Sequence, residues 1–273
     1  MQTDDSASEI LPLVRDHTGP VTRVHRTTHG RSSDLTAIVE CAKGPFFVKA
    51  VRNRPGGRRD SLIREREIGA ALVHVTPPLL WDVEAEEWLV LGYEVVDGRS
   101  ADFEPGSPDL PLVVDMVAWI GRVPLPAFAR DWTETRWDRF AATSSEAGLF
   151  RGDTLLHTDI NPSNMLVAGR RVWAVDWAWP TRGAGFIDPA LLVVQLVAAG
   201  HTPAEAEKWA ARVPAWREAE PEAVDAFAAA GLRMYRERTR RRPAEEWLTA
   251  MVRAYEAWAS HRGVGVPPAS AGV

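Results

Sequence analysis

Asp159, Asn164 and Asp176 are the residues of this chain whose types and spacing best suit chemistry. They belong to a stretch that reads His157-Thr158-Asp159-Ile160-Asn161-Pro162-Ser163-Asn164, then Met165-Leu166-Val167, then Val172-Trp173-Ala174-Val175-Asp176. A carboxylate is followed by an amide five residues on and by a second carboxylate twelve residues after that. Phosphoryl transfer requires such a set: one base near an attacking hydroxyl and two hard oxygen donors for Mg²⁺.

The spacing also predicts how these groups are positioned. Residues 165–175 form two apolar runs around Ala168-Gly169-Arg170-Arg171, the pattern of a β-hairpin. A turn centred near Arg170 pairs 166 with 174 and 164 with 176, which would set Asn164 and Asp176 side by side on one face. Asp159 precedes the hairpin in a loop containing Pro162. Taken singly, Asp, Asn and Pro are ordinary turn formers; the His, the flanking apolar runs and the hairpin together carry the reading.

Earlier in the chain, Lys49 lies within the apolar strand Phe46-Phe47-Val48-Lys49-Ala50-Val51, on the face of Phe47 and Val51. A point charge on a cleft wall suits nucleotide phosphates. Glu65 is its candidate partner. It falls one turn before Ile68 and two before Leu72 on a predicted helix, so it shares their inward face, whereas Glu67 lies about 200° away at helical pitch.

The 157–177 segment resembles the catalytic loop of the aminoglycoside phosphotransferase family, small-molecule kinases that share the protein-kinase fold. His157, Asp159, Asn164, Asp176 and Trp177 are in register with it, as are Arg64-Glu65 and Leu72. Thr158 departs from it, standing where the family usually has Gly. The resemblance implies an α+β, protein-kinase-like bilobal fold: a small β-rich N-lobe with one main helix and a larger, mostly helical C-lobe. It implies ATP, with GTP left open, and Mg²⁺. Asp159 would be the base, Asn164 and Asp176 the metal ligands, and Lys49, oriented by Glu65, the contact to the α- and β-phosphates. The His29–Asp34 turn, with Gly30, Ser32 and Ser33, corresponds in order to a phosphate-covering loop. The Glu94 carbonyl and Val96 amide would meet adenine at a hinge. Asp188 would brace the catalytic loop, although an Asp before Pro189 is also an ordinary helix N-cap.

The element pattern leads to the same architecture. A helix is predicted over 6–17, strands over 21–28, 35–39, 46–51, 79–83 and 88–96, a basic loop over 52–59 and a helix over 61–73. The boundaries expected are 1–97 for a nucleotide-binding lobe, 98–262 for a catalytic and acceptor-binding helical lobe, and 263–273 for a disordered tail. Asp188-Pro189, Thr202-Pro203 and Arg242-Pro243 each place Pro at an expected first helical position, and Thr202 with Glu205 fits a capping box.

Bulk properties bound the partners. The 273 residues are 45% apolar and 25% charged, as in globular domains, with net charge −5. This gives no case for nucleic acid or an anionic membrane. The single cysteine, Cys41, suits a reducing cytoplasm, and no apolar run is long enough to span a bilayer. Only eleven residues separate Asp176 from Asp188, too few for the activation segment of a protein kinase. A small-molecule hydroxyl acceptor is therefore expected. An aminoglycoside or related antibiotic, an amino alcohol, a sugar and an amino-acid derivative all remain open, as does a catalytically silent nucleotide-binding module. Acid-rich residues 82–115 would favour a cationic acceptor, and the Arg-rich run 233–242 argues the other way. Either could also be a solvated surface.

Overall fold

The computed structural model describes residues 5–27 and 33–265. The chain divides into two compact units, Met1–Arg99 with Leu166–Pro180, and Ser100–Met165 with Thr181–Val273. The segment 166–180 thus groups with the first unit, across the 97/98 boundary expected from the sequence.

The first unit is built on an antiparallel sheet in the order β1-β2-β3-β5-β4, comprising β1 (Val21–Arg26), β2 (Leu35–Cys41), β3 (Gly44–Arg52), β4 (Leu79–Glu84) and β5 (Trp88–Glu94). Strand alternation sorts the residues of β3. Phe46, Val48 and Ala50 join Trp81, Trp88 and Val90 in a core that includes Ile10 of helix α1 (Asp5–Leu13) and Val14, which precedes the short helix α2 (Arg15–Thr18). Val51 joins Leu89, Leu91 and Tyr93 on the opposite face, which Leu62 of helix α3 (Gly57–Gly69) covers. Lys49 is on this second face and pairs in register with Thr36 and Leu91. Gly92 is obligatory: a Cβ there would come within 2.1 Å of the Trp81 ring.

Helix α3 begins and ends four residues before the sequence expectation. Its first turn is fastened from outside, with Arg59 Nε donating to Asn53 and Arg58 pairing with Asp34. These tertiary ties override the turn preference of Pro55-Gly56-Gly57. The chain then crosses β6 (Arg99–Ser100) into the second unit.

That unit holds a two-stranded ladder, β7 (Thr154–Leu156) with β10 (Thr181–Gly183), and helices α4 (Leu110–Ile120), α5 (Ser144–Gly148), α6 (Ile187–Ala198), α7 (Pro203–Ala210), α8 (Pro214–Arg217), α9 (Pro221–Arg241) and α10 (Glu246–His261). Phe227 of α9 is the centre of an aromatic core, with ring centroids 4.8 Å from Trp137, 5.8 Å from Phe150 and 5.9 Å from Phe186. Helices α9 and α10 approach so closely that a Cβ on Gly231 would sit 2.2 Å from the Tyr255 ring.

The expected capping box at Thr202 and Glu205 is present. The other two Pro placements are corrected. Pro189 is the third residue of α6, which starts at Ile187, and Pro243 precedes α10, which starts at Glu246. The sequence tail from 266 onward lies outside the described residues, as do Gly30 and Ser32.

Candidate active site

The first unit concentrates its buried charge around Lys49. The ammonium reaches both Glu65 oxygens, at 2.8 and 3.0 Å, and Asp176 Oδ1 at 2.8 Å. Lys49 is 5% exposed and Glu65 7%, so this is a desolvated network with little screening. Burial alone would pull the Lys49 amine down, but the Glu65 and Asp176 carboxylates more than offset it and hold the ammonium well above its ordinary value. Burial pushes the Glu65 carboxyl up against the pull of Lys49. Burial and the neighbouring Glu65 push the Tyr93 phenol far up as well. Lys49 and Glu65 meet because an odd-numbered residue of β3 faces α3, and because Glu65 lies on the buried stripe that includes Ile68. Glu67 is exposed, as its phase predicts.

The hairpin closes through Gly169, at φ +61°, between β8 (Met165–Ala168) and β9 (Arg171–Ala174). The expected cross-strand pairing of Asn164 with Asp176 is not formed, because neither residue is in a strand. The Asn161 side chain accepts from Ser163 N and Asn164 N and caps a 3₁₀ turn over Pro162–Asn164, which takes Asn164 out of the ladder. Asp176 lies beyond β9 at φ +63°, a left-handed conformation that costs a non-glycine residue about 1–3 kcal/mol and concentrates at functional positions. The bond to Lys49 fixes it there.

In the second unit the loop carrying Asp159 is fastened at each residue. Asp188 is nearly fully buried and accepts His157 N–H and Thr158 N–H, each at 2.8 Å. Burial pushes its carboxyl up, opposed by His157 and these two amides. Asp188 is therefore a brace and not the N-cap of α6, which is Phe186. His157 Nδ1 accepts Asp159 N–H at 3.2 Å. Asn164 Nδ2 donates to the Asp159 carbonyl and to its carboxylate, both at 2.9 Å, so neither bond uses the amide oxygen. Asp159 itself is exposed.

Thr158 adopts φ +65°. A β-branched residue is rare there, and this one is held by Arg136, whose Nη1 donates to the Thr158 carbonyl at 2.9 Å and whose Nη2 donates to its hydroxyl at 3.0 Å. Buried Glu134 sets Arg136 in turn, accepting its backbone N–H and the Thr181 hydroxyl.

A cavity of ≈ 60 Å³ opens beside Asp159, and its lining includes Arg136, Trp137, Gln195, Tyr235 and Arg238. None of these five was singled out from the sequence. The available signals were the non-glycine at 158 and the position of Arg238 within the arginine-rich run.

Of the remaining predicted residues, Ser33 is half-buried just before β2. Glu94 ends β5 with its N–H given to the Pro78 carbonyl at 3.0 Å, and Val96 lies half-buried two residues past the strand. The acids of 82–115 are partly consumed by the fold. Asp82 and Glu84 pair with Arg66, Glu87 pairs with Arg52, and Asp109 accepts Asp102 N–H.

No family model and no curated protein matches this sequence. Solved structures do match over nearly the whole chain. The choline kinase LicA from Streptococcus pneumoniae superposes with TM-score 0.65 at 11% identity, covering 94% of this chain and 99% of that one. A thermostable mutant of the aminoglycoside phosphotransferase APH(4)-Ia gives 0.63 at 13%, covering 93% and 99%. The amicoumacin kinase hAmiN, in complex with AMP-PNP, Ca²⁺ and Ami, gives 0.59 at 12%, covering 96% of each. The α+β fold of this chain is thus the protein-kinase-like fold of small-molecule kinases.

Proposed function

We propose that this chain is a small-molecule O-phosphotransferase that uses ATP and Mg²⁺. The observation that carries this reading is the network in which buried Lys49 and Glu65 meet partly exposed Asp176, three ionisable groups held together at a strained residue. A structural core gains little from such a group, since buried ion pairs are weak sources of stability. A triphosphate site gains an ammonium already oriented and a carboxylate next to it.

The residues divide by task. Lys49, oriented by Glu65, binds the α- and β-phosphates, and the Glu94 carbonyl and Val96 amide meet the base. Ser33 is the described residue of the stretch assigned to cover the phosphates. Asn164 and Asp176 are the oxygen donors for the metal. Among the described residues no cluster of three or more His, Cys, Asp or Glu could hold an ion. Two oxygen donors, one of them a neutral amide, suit Mg²⁺, which keeps waters and takes further ligands from substrate phosphates. When bound, Mg²⁺ neutralises charge developing on the transferred group.

Asp159, held by His157 and Asn164, orients the acceptor hydroxyl and takes its proton. The hydroxyl oxygen forms a bond to the γ-phosphorus as the bond from that phosphorus to the β,γ-bridging oxygen breaks. ADP leaves with the electron pair. Catalysis is positioning and electrostatics, with no covalent enzyme intermediate. The similar structures support this reading, because they are of kinases of choline and antibiotics, one of them holding a nucleotide analogue and a divalent cation.

The test is thermal protection of the purified chain by ATP with Mg²⁺, followed by ADP release across an acceptor panel. Wild type should be protected and Asp176→Ala should not. Equal protection of both would remove the metal-nucleotide assignment.

A further inference from the structure

Resting on that reading, we propose that the acceptor is a small hydroxy acid whose carboxylate is bound by Arg136 and Arg238 beside Asp159. The cavity lining contains two guanidinium groups and one carboxylate, that of the proposed base. Many guanidinium groups of this unit are paired, among them Arg139, Arg151, Arg182, Arg212, Arg236 and Arg262. Arg136 and Arg238 form no ion pair among the described residues. Arg136 spends its two known side-chain bonds on Thr158, which leaves donors of its five-donor fork for a ligand.

The Trp137 ring, 1% exposed, forms part of the cavity wall. The Tyr235 phenol, pushed up by burial, stays protonated and adds a donor.

A cationic acceptor would meet the opposite of what it needs. Aromatic faces are the usual seat of an ammonium. Here Arg136 lies 5.2 Å from the Trp137 ring centroid and Arg238 5.2 Å from that of Tyr235, so each ring already carries a cation. The cavity, ≈ 60 Å³, has room for a carboxylate head beside the two guanidinium groups. The fork geometry of arginine suits a planar carboxylate. The hydroxyl must then lie a few bonds from the carboxylate, within reach of Asp159.

The experiment compares short hydroxy acids with their neutral amides, and with amino alcohols and an aminoglycoside, by ADP release and ³¹P NMR. The expected result is that acids exceed their amides by about tenfold or more in kcat/KM, the scale of a charge-assisted contact. Arg238→Gln should raise KM for the acid about tenfold, change kcat far less and erase most of the acid-over-amide preference, while Arg238→Lys restores part of it. A loss shared equally by acid and amide would mark a merely structural arginine and overturn the proposal. So would preferred phosphorylation of the amino alcohol or aminoglycoside.

Two further measurements keep the two readings separate. Calorimetric titration of the wild type with a hydroxy acid and no nucleotide reports the anion site alone, and protection by ATP with Mg²⁺ reports the nucleotide site alone. Nucleotide protection without acid binding or turnover would overturn the acceptor assignment and leave the kinase reading standing. Acid binding without nucleotide protection would leave an anion site standing and overturn the kinase reading, and with it the role of the acid as acceptor.

Discussion

Two groups of charges in this molecule are organised on opposite principles. Around Lys49 every charge is answered from within: Glu65 with both oxygens and Asp176 with one. Around Arg136 and Arg238, which line one cavity, no carboxylate among the described residues forms an ion pair with either cation. The first group is complete before any ligand arrives, so on the proposed reading it would bind phosphates without reorganising at the moment of reaction. The second is incomplete by design of its composition and waits for charge from outside. Preorganisation and selectivity are thus separated, and mutations should affect them differently.

The largest effect should come at the base. Asp159→Asn is expected to lower kcat about 10²- to 10⁴-fold, read by ADP release, while thermal protection by ATP with Mg²⁺ survives. If turnover persists, Asp159 is not the proton acceptor. Next is the answered cluster. Lys49→Met strands Glu65 beside Asp176, and loss of one member of a buried pair costs about 3–5 kcal/mol. Urea melts should show it, and Lys49→Met with Glu65→Gln should recover part of the stability without activity. Full stability in the single variant would break the comparison.

Asp188→Ala leaves two amide donors of the catalytic loop without their acceptor, at about 1–3 kcal/mol, again by urea melts, with kcat falling more than KM rises. Removing an unanswered cation should act quite differently. Arg238→Gln is expected to change stability by no more than about 1 kcal/mol, because it loses its contact with the Tyr235 ring but strands no buried charge. A large loss would show that Arg238 is structural.

The smallest effect lies at a surface carboxylate. Hydrogen bonds from Arg52 and Trp88 hold the Glu9 carboxyl below its ordinary value. A depressed carboxyl stabilises the folded state above the ordinary carboxylate range, and that contribution is lost as pH falls through the depressed value. The Tm gap between wild type and Glu9→Gln should therefore be greatest near neutral pH and close in acid.

Much of this was legible in the residues. Alternation along β3 put Lys49 on the helix-facing side, and helical phase picked Glu65 over Glu67, because both follow from local periodicity. The hairpin was legible from its apolar runs and turn. The placement of Asn164 was not, since a side-chain cap at Asn161 competes with strand pairing and wins. Asp188 was ambiguous because the same Asp-Pro pair serves as a helix start or a brace, and only the distant amides of His157 and Thr158 decide. Trp137 and Arg238 escaped notice because their cavity is assembled from α6, α9, α10 and the loops that carry Arg136 and Asp159, which no spacing rule connects.

Thr158 gives the loop a property that glycine would not. Its backbone is bent into an unfavourable shape and its hydroxyl and carbonyl are both gripped by the guanidinium that lines the acceptor cavity. A ligand drawing on that guanidinium therefore pulls, one bond removed, on the residue next to the base. On the proposed reading, filling the cavity and aiming Asp159 would be a single mechanical event, and a molecule that offers the hydroxyl but leaves the guanidinium untouched would find the machinery assembled yet poorly aimed.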